Sequence, residues 1–272
     1  MVLYPLIYVV SCSFSSGYAV ITNKVWLWPV EPTLDAYGAI LKHRLLMSGY
    51  LNAFLYMVGG TTVNLILIVL AAYPLSRSDM PGRGFFTFVF MFTMFFNGGM
   101  IPDYLLVRNL RLLNTRWALI IPFMLSAYNI ILVRTFFKST IPTELLDAAH
   151  IDSCSDLQFF WRIALPLSKP ILAVMVLFCA VGHWNGYFRA LLYLSDSDLY
   201  PLQLVLRDIL FVTQMPDSIL MAMGDSKLEE LSNLQQLLKY SVIVVASAPL
   251  MILYPFIQKY FVKGVMIGSL KG

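Results

Sequence analysis

Residues 141–170 read IPTELLDAAHIDSCSDLQFFWRIALPLSKP. The stretch is charged, punctuated by three prolines and patterned as helix, yet long apolar segments flank it on both sides. A chain that keeps a polar helical element between apolar spans presents it to something outside the bilayer. The flanks therefore decide the solvent, and the stretch itself decides what the chain works with.

The chain has 272 residues, of which 59% are hydrophobic and only 12% charged, with a mean hydropathy of +0.74. Soluble domains carry roughly 25% charged residues. Half that fraction, with long apolar runs, makes lipid the main solvent. The net charge of +4 fits anionic lipid and membrane topology. Nucleic acid is not expected, because no basic block is interleaved with aromatics. Cys12, Cys154 and Cys179 are widely spaced and form no CxxC pair, so they read as small apolar fillers rather than a disulfide framework or metal site.

A helix needs about 20 apolar residues to cross the hydrocarbon core. Five segments qualify: Leu51–Leu75, Phe85–Ile101, Trp117–Val133, Ile171–Phe188 and Tyr240–Ile257. Met1–Phe14 is apolar but too short. It reads as the latter half of a span that begins upstream, with a short re-entrant or interfacial segment as the alternative. The expectation is an all-α integral membrane protein with about six transmembrane helices, the first truncated or short. Residues 1–272 read as a single membrane domain, since no repeat or low-complexity linker interrupts them. Lys and Arg divide almost evenly between the two sides, so the positive-inside rule does not orient the chain. The connections at 15–46 and 195–236 are long. The first carries Trp26, Trp28 and Tyr37, suited to an interface. The second holds the apolar stretch Leu202–Val212. Either segment suits a cap over the outer mouth of a pathway or plain packing at the lipid interface.

Within 141–170, Pro142 suits a first helical position, and Glu144 and Asp147 place negative charge where the helix dipole favours it. Leu145, Ala148, Ala149 and Asp152 fall at helical spacing, predicting a small, mildly apolar face that another surface can approach closely. Ser153 with Asp156 three residues on resembles a capping box, with Asp152 a further candidate cap. A second helix then carries Leu157, Phe160, Trp161 and Ala164 at i, i+3, i+4 and i+7. Two short helices joined by a turn make a knob for a socket. An amphipathic element lying on lipid is the competing reading.

The stretch resembles the EAA loop of ATP-binding-cassette importer permeases, in which a Glu-Ala-Ala triplet, a two-residue spacer, Asp-Gly and a later Leu-Pro recur. Asp147-Ala148-Ala149, Asp152-Ser153 and Leu165-Pro166 occupy those places. Asp147 departs from the family's glutamate and Ser153 from its glycine. If that position needs a left-handed backbone, serine costs about 1 kcal/mol or somewhat more; side-chain capping offers a way to close the turn without it. The resemblance extends to Asn52, Ala72-Tyr73-Pro74-Leu75-Ser76-Arg77, Gly98-Gly99-Met100-Ile101-Pro102, Trp184-Asn185, Pro201-Leu202-Gln203 and the tail Lys263–Gly268. Together these are similar to maltose-type carbohydrate importers, in the branch handling complex oligosaccharides.

That resemblance implies a cytoplasmic loop and cytoplasmic termini in a bacterial cell membrane. It implies a second, non-identical permease, two ATPase subunits and an extracytoplasmic solute-binding protein as partners. Glu144, Leu145, Asp147, Ala148, Ala149, Asp152 and Ser153 become the expected ATPase-coupling residues. The chain is not expected to be an enzyme: it contains no G-x-x-x-x-G-K-[ST] phosphate loop and no HExxH or GxSxG. Mg-ATP is expected on the partner ATPases, with no cofactor in this chain.

Polar groups inside spans default to functional readings. His183, Trp184, Asn185 and Arg189 form the candidate substrate pathway, because aromatic and amide groups suit the apolar faces and hydroxyl edges of sugars. Helix–helix hydrogen bonding is the competing reading, and it is preferred for Asn64 and Asn129. Gly59-Gly60 and Gly98-Gly99 read as sites of close helix approach or helix breaks. A cargo of phosphate, amino acid or metal, and a secondary transporter without ATPases, stand as alternatives.

Overall fold

A computed structural model describes residues 3–212 and 239–252, together with 254, 255 and 258. The Lys263–Gly268 tail and the distal part of the 195–236 segment lie outside the described residues. All regular elements among the described residues are helical. In chain order they are α1 (Leu3–Ser13), α2 (Gly17–Ile21), α3 (Asp35–Lys42), α4 (Arg44–Ser76), α5 (Arg83–Phe95), α6 (Met100–Asn109), two 3-10 turns (Arg116–Leu119 and Ile121–Phe123) and α7 (Ala127–Thr140). There follow α8 (Thr143–Ile151), α9 (Asp156–Leu167), α10 (Lys169–Trp184), α11 (Tyr187–Tyr193), a third 3-10 turn (Ser197–Leu199), α12 (Leu202–Val212) and α13 (Lys239–Ile252).

Among the described residues, α4 is the one helix that is by itself long and apolar enough to cross a membrane. Its 33 residues reach about 50 Å at 1.5 Å per residue, against a hydrocarbon core of about 30 Å. Up to four crossings result if each bent pair counts as one span; α1 and α13 are shorter apolar helices. Three of the expected continuous spans are interrupted. Trp117–Val133 is divided between the two 3-10 turns and α7, which meet at 50°. Phe85–Ile101 is divided between α5 and α6, which meet at 114°. Gly99 adopts φ +90° there and the Asn97 side chain accepts from its N–H at 2.7 Å, so the Gly98-Gly99 pair is a break. Ile171–Phe188 is broken where α10 ends at Trp184 and α11 begins at Tyr187.

The chain divides into two compact units. The first comprises Met1–Phe54 and Asn185–Ile252. Its serines knit α1 to the segment after it: Ser11 Oγ donates to the Leu27 carbonyl at 2.6 Å, and Ser15 Oγ accepts from the Val30 N–H at 3.0 Å. Buried Asn52 donates to the carbonyls of Asp198 at 2.6 Å and Tyr200 at 3.2 Å. Trp26 and Trp28 are exposed, and Cys12 is a buried filler.

The second unit comprises Leu55–Trp184 and Leu253–Gly272. Its core joins Ile68, Val69, Ala72 and Leu75 of α4 to Ile130, Val133 and Phe137 of α7, Met175 and Cys179 of α10, and the buried side chains of α8 and α9. The C-terminus of α4 is closed thoroughly. A helix leaves its last four carbonyls without intrahelical partners. Here Ser76 Oγ donates to the Tyr73 carbonyl at 2.6 Å, Arg77 N–H to Pro74 at 3.0 Å and Arg134 Nε to Leu75 at 2.9 Å. By contrast α5 buries none of its residues; Phe85, Phe88, Phe92 and Phe95 are exposed along it, a surface suited to lipid or another protein.

Candidate functional site

The 141–170 stretch folds as the two-helix hairpin α8–α9. Pro142 serves as N-cap in extended conformation (φ −64°, ψ 148°), one residue earlier than its expected place. Glu144 lies in the first turn of α8.

The turn corrects the expected capping. Ser153 adopts φ +56°. Its N–H donates to the His150 carbonyl at 3.0 Å, and the Cys154 N–H donates to Ala149 at 2.9 Å. With Asp152 as C-cap, this pair of bonds is a Schellman motif, whose C′ residue takes the left-handed conformation and is usually glycine. The turn is thus closed by backbone bonds through a left-handed serine, and not by a Ser153–Asp156 box. The capping box lies two residues later: Ser155 Oγ accepts from the Gln158 N–H at 3.3 Å, and Gln158 Oε1 accepts from the Ser155 N–H at 3.1 Å.

Burial divides the expected coupling residues. Ala149 is 7% exposed and sits in the core beside α4 and α7, while Leu145 packs half-buried against it. Glu144, Asp147, Ala148, Asp152 and Ser153 are exposed. The expected face of Leu145, Ala148, Ala149 and Asp152 is therefore not one surface: the first and third side chains fasten the hairpin. The outward stripe of α8 is Glu144, Asp147, Ala148 and Ile151, at i, i+3, i+4 and i+7, and Ile151 is 83% exposed.

In α9, residues Phe160–Ala164 form a π turn. Phe159, Phe160 and Ala164 are buried, whereas Leu157 and Trp161 are 67% and 61% exposed. The apolar face expected at 3.6-residue spacing is split accordingly. Ile151, Leu157 and Trp161 are exposed apolar residues of the hairpin that sequence reasoning did not assign to the coupling surface.

Charge fastens the hairpin to the end of α4. Arg77 Nη1 donates to Asp156 Oδ1 at 2.8 Å and to Tyr73 Oη at 3.4 Å; Nε and Nη2 donate to Asp79 at 2.8 and 2.5 Å. His150 Nε2 lies 3.4 Å from the same Asp156 oxygen. The bonds to Asp79 are the main reason the Arg77 guanidinium is pushed further above its usual range. The same bonds hold the Asp79 carboxyl down at about 2. Arg77 was legible as the end of a span, but its pairing across 79 residues was not.

The candidate pathway residues do not lie along one helix. His183 and Trp184 close α10, Asn185 is exposed between helices, and Arg189 is half-buried within α11. Asn185 and Arg189 therefore do not share a helical face. Trp184 is buried. His183 Nε2 lies 3.4 Å from Asn64 Oδ1, and Asn64 Nδ2 donates to the Phe123 carbonyl at 3.2 Å. Since the amide nitrogen donates to Phe123, it is the amide oxygen that faces the imidazole. Asn64 acts as the packing link expected of it, and Asn129 is half-buried in α7.

Residues 64–267 match the model of the family described as "binding-protein-dependent transport system inner membrane component". The chain is 40% identical to Protein LplC of Bacillus subtilis (strain 168) over 268 residues, 98% of this chain and 89% of that protein. It is 42% identical over 268 residues to the polygalacturonan/rhamnogalacturonan transport system permease protein YtcP of the same organism, covering 98% of this chain and 92% of the relative. Among solved structures, it superposes with a TM-score of 0.85 at 40% identity on a chain of a bacterial ABC transporter involved in the import of the acidic polysaccharide alginate, covering 96% of this chain and 91% of that one.

Proposed function

Because the chain belongs to the family of binding-protein-dependent transport system inner membrane components, we propose that it is the permease subunit through which an ATP-driven importer moves oligosaccharides, coupled to its ATPases by the α8–α9 hairpin. The carbohydrate cargo follows from its relatives, one a polygalacturonan/rhamnogalacturonan transport system permease and one a transporter involved in alginate import. The observation that carries the coupling role is the outward stripe Glu144, Asp147, Ala148 and Ile151. It is exposed, lacks a partner among the described residues, and is held rigidly by the buried Ala149 beneath it.

Two carboxylates, a small residue and an exposed isoleucine on one face suit a cleft with basic and apolar walls. ATP hydrolysis belongs to two such partner subunits, with Mg-ATP bound there. A second permease and an extracytoplasmic binding protein complete the machine. The reading is of a single permease domain, residues 1–272, with about six crossings in the bacterial inner membrane and with the hairpin and both termini on the cytoplasmic side. Asp152, Ser153 and Leu145 shape the knob rather than forming its contact face. His183, Trp184, Asn185 and Arg189 remain the proposed pathway residues, with Asn185 the most accessible of them.

The test is oligosaccharide uptake by the assembled transporter in vesicles. Asp147→Lys, or Ala148→Trp, abolishes ATP-driven uptake while the chain still inserts and co-assembles with its partner permease. Uptake at the wild-type rate in both variants would remove the hairpin from the coupling path.

A further inference from the structure

A cavity of about 290 Å³ opens beside the hairpin within the second unit, bounded by the end of α4, the start of α5, the end of α7 and the start of α8. Its lining brings together three cations, Arg77, Arg83 and Lys138, and one carboxylate, Glu144. Arg77 is committed to Asp79 and Asp156. Arg83 gives one N–H to the Arg77 carbonyl at 3.1 Å. Neither Arg83 nor Lys138 makes an ion pair among the described residues. The N-terminus of α8 opens on the same space, and its N-cap Pro142 supplies no side-chain acceptor for the first helical amides. Buried aromatic rings, Phe137 and Phe159, form part of the wall.

Two uncommitted cations, a proline-capped helix N-terminus and an aromatic wall converge on one cavity. Guanidinium offers a forked donor set and ammonium a point charge, the combination that recognises phosphate oxygens. The helix N-terminus adds backbone amides and a favourable dipole. Basic pockets between membrane helices at the aqueous boundary take phospholipid headgroups. We infer that this cavity is a phosphate-group binding site, held by Arg83, Lys138 and the first turn of α8. Its occupant is an anionic phospholipid headgroup or free phosphate. Because Glu144 belongs both to the cavity and to the hairpin, and Arg77 of the cavity is bonded to Asp156 of the hairpin, an occupant bears directly on the position of α8.

The whole transporter, extracted in mild detergent, is to be mixed with phosphatidylglycerol or phosphatidylcholine and weighed by native mass spectrometry, with and without millimolar inorganic phosphate. Wild type retains phosphatidylglycerol over phosphatidylcholine, and the Arg83→Gln/Lys138→Gln double variant loses that preference by about tenfold or more. Retention that inorganic phosphate leaves unchanged assigns the site to the lipid. Displacement by phosphate, with a phosphate-dependent rise in the wild-type thermal midpoint that the variant lacks, assigns it to the free anion. Lys138→Gln alone, at an exposed position, gives the same direction if the double variant does not fold. No preference in wild type for either probe, or equal retention by wild type and variants, overturns the proposal. The readout needs no transport, so it stands apart from the uptake test.

Discussion

Arg77 and Asp156, 79 positions apart in sequence, meet at 2.8 Å and join the end of α4 to the first turn of α9. The Arg77 side chain is largely buried while both of its carboxylate partners face water. Removing the arginine therefore strands no carboxylate in apolar surroundings. Arg77→Gln is expected to cost about 1–2 kcal/mol, the worth of the lost charge-assisted hydrogen bonds discounted for exposure. Thermal unfolding of the purified chain measures this. Arg77→Lys should recover less than half, because the fork serves two carboxylates and an ammonium does not. An unchanged midpoint in Arg77→Gln would show that the hairpin is held by packing alone.

The same cluster sets a pH dependence. Asp79 is held at about 2, against 3.8 for the unperturbed group, chiefly by the hydrogen bonds from Arg77. A folded-state value below the unfolded one adds stability that is fully present above the unfolded value and is lost as pH falls through the folded one. The contribution of this pair is thus flat at neutral pH and fades between about 4 and about 2. Across that window the thermal midpoint of wild type should fall more steeply than that of Asp79→Asn. Parallel curves would remove the pair from the acid response.

Gly60 faces the imidazole of His183 so closely that an added Cβ would overlap the ring. Gly60→Ala is expected to destabilise by about 1–3 kcal/mol, the usual cost of overpacking, and to displace His183 from Asn64. His183→Ala frees the space, so the double variant should be less damaged than the sum of the singles, a coupling that a double-mutant cycle reads directly. Strict additivity would mean that the backbone shifts to accommodate the methyl group.

Ser153 carries the left-handed turn of the hairpin. Replacement by glycine relieves about 1–2 kcal/mol of backbone strain, partly offset by the greater freedom of glycine in the unfolded chain. The net expectation is a gain of up to about 1 kcal/mol, whereas Ser153→Val should lose more than about 1 kcal/mol. Denaturation midpoints in detergent test both directions. A loss on substitution to glycine would show that the hydroxyl matters more than the backbone.

Much of this was legible in sequence because the governing signals are local. Apolar length marked α4, Gly98-Gly99 marked the break before α6, and Pro142 with Glu144 marked the start of α8. The turn was misplaced because two serines each precede a polar residue by three positions. Ser153 with Asp156 and Ser155 with Gln158 fit one pattern equally well, and the backbone bonds that close α8 decide between them. The face of α8 was misassigned because helical spacing says which residues share a side but not which side faces α4 and α7. Ala149 and Ala148 are indistinguishable until the core is built, and then one is buried and the other exposed. The partnership of Arg77 with Asp156, and of His183 with Asn64, depends on how distant helices pack, which local patterns do not encode.

The π turn at Phe160–Ala164 also changes how the chain tolerates insertion and deletion. A π turn is an α-helix holding one surplus residue. Deleting a single residue there would leave a continuous α-helix whose flanking turns keep their facing, because the surplus residue is the one that the wider turn absorbs. Phe159 and Ala164, five positions apart and both buried, would then stand four apart, the spacing that shares one face of an α-helix. A one-residue deletion, which would re-aim everything beyond it by about 100° in an ordinary α-helix, is therefore expected to leave the start of α10 aimed as it is here, whereas the same deletion in the turn at 152–155 would break the backbone bonds that close α8.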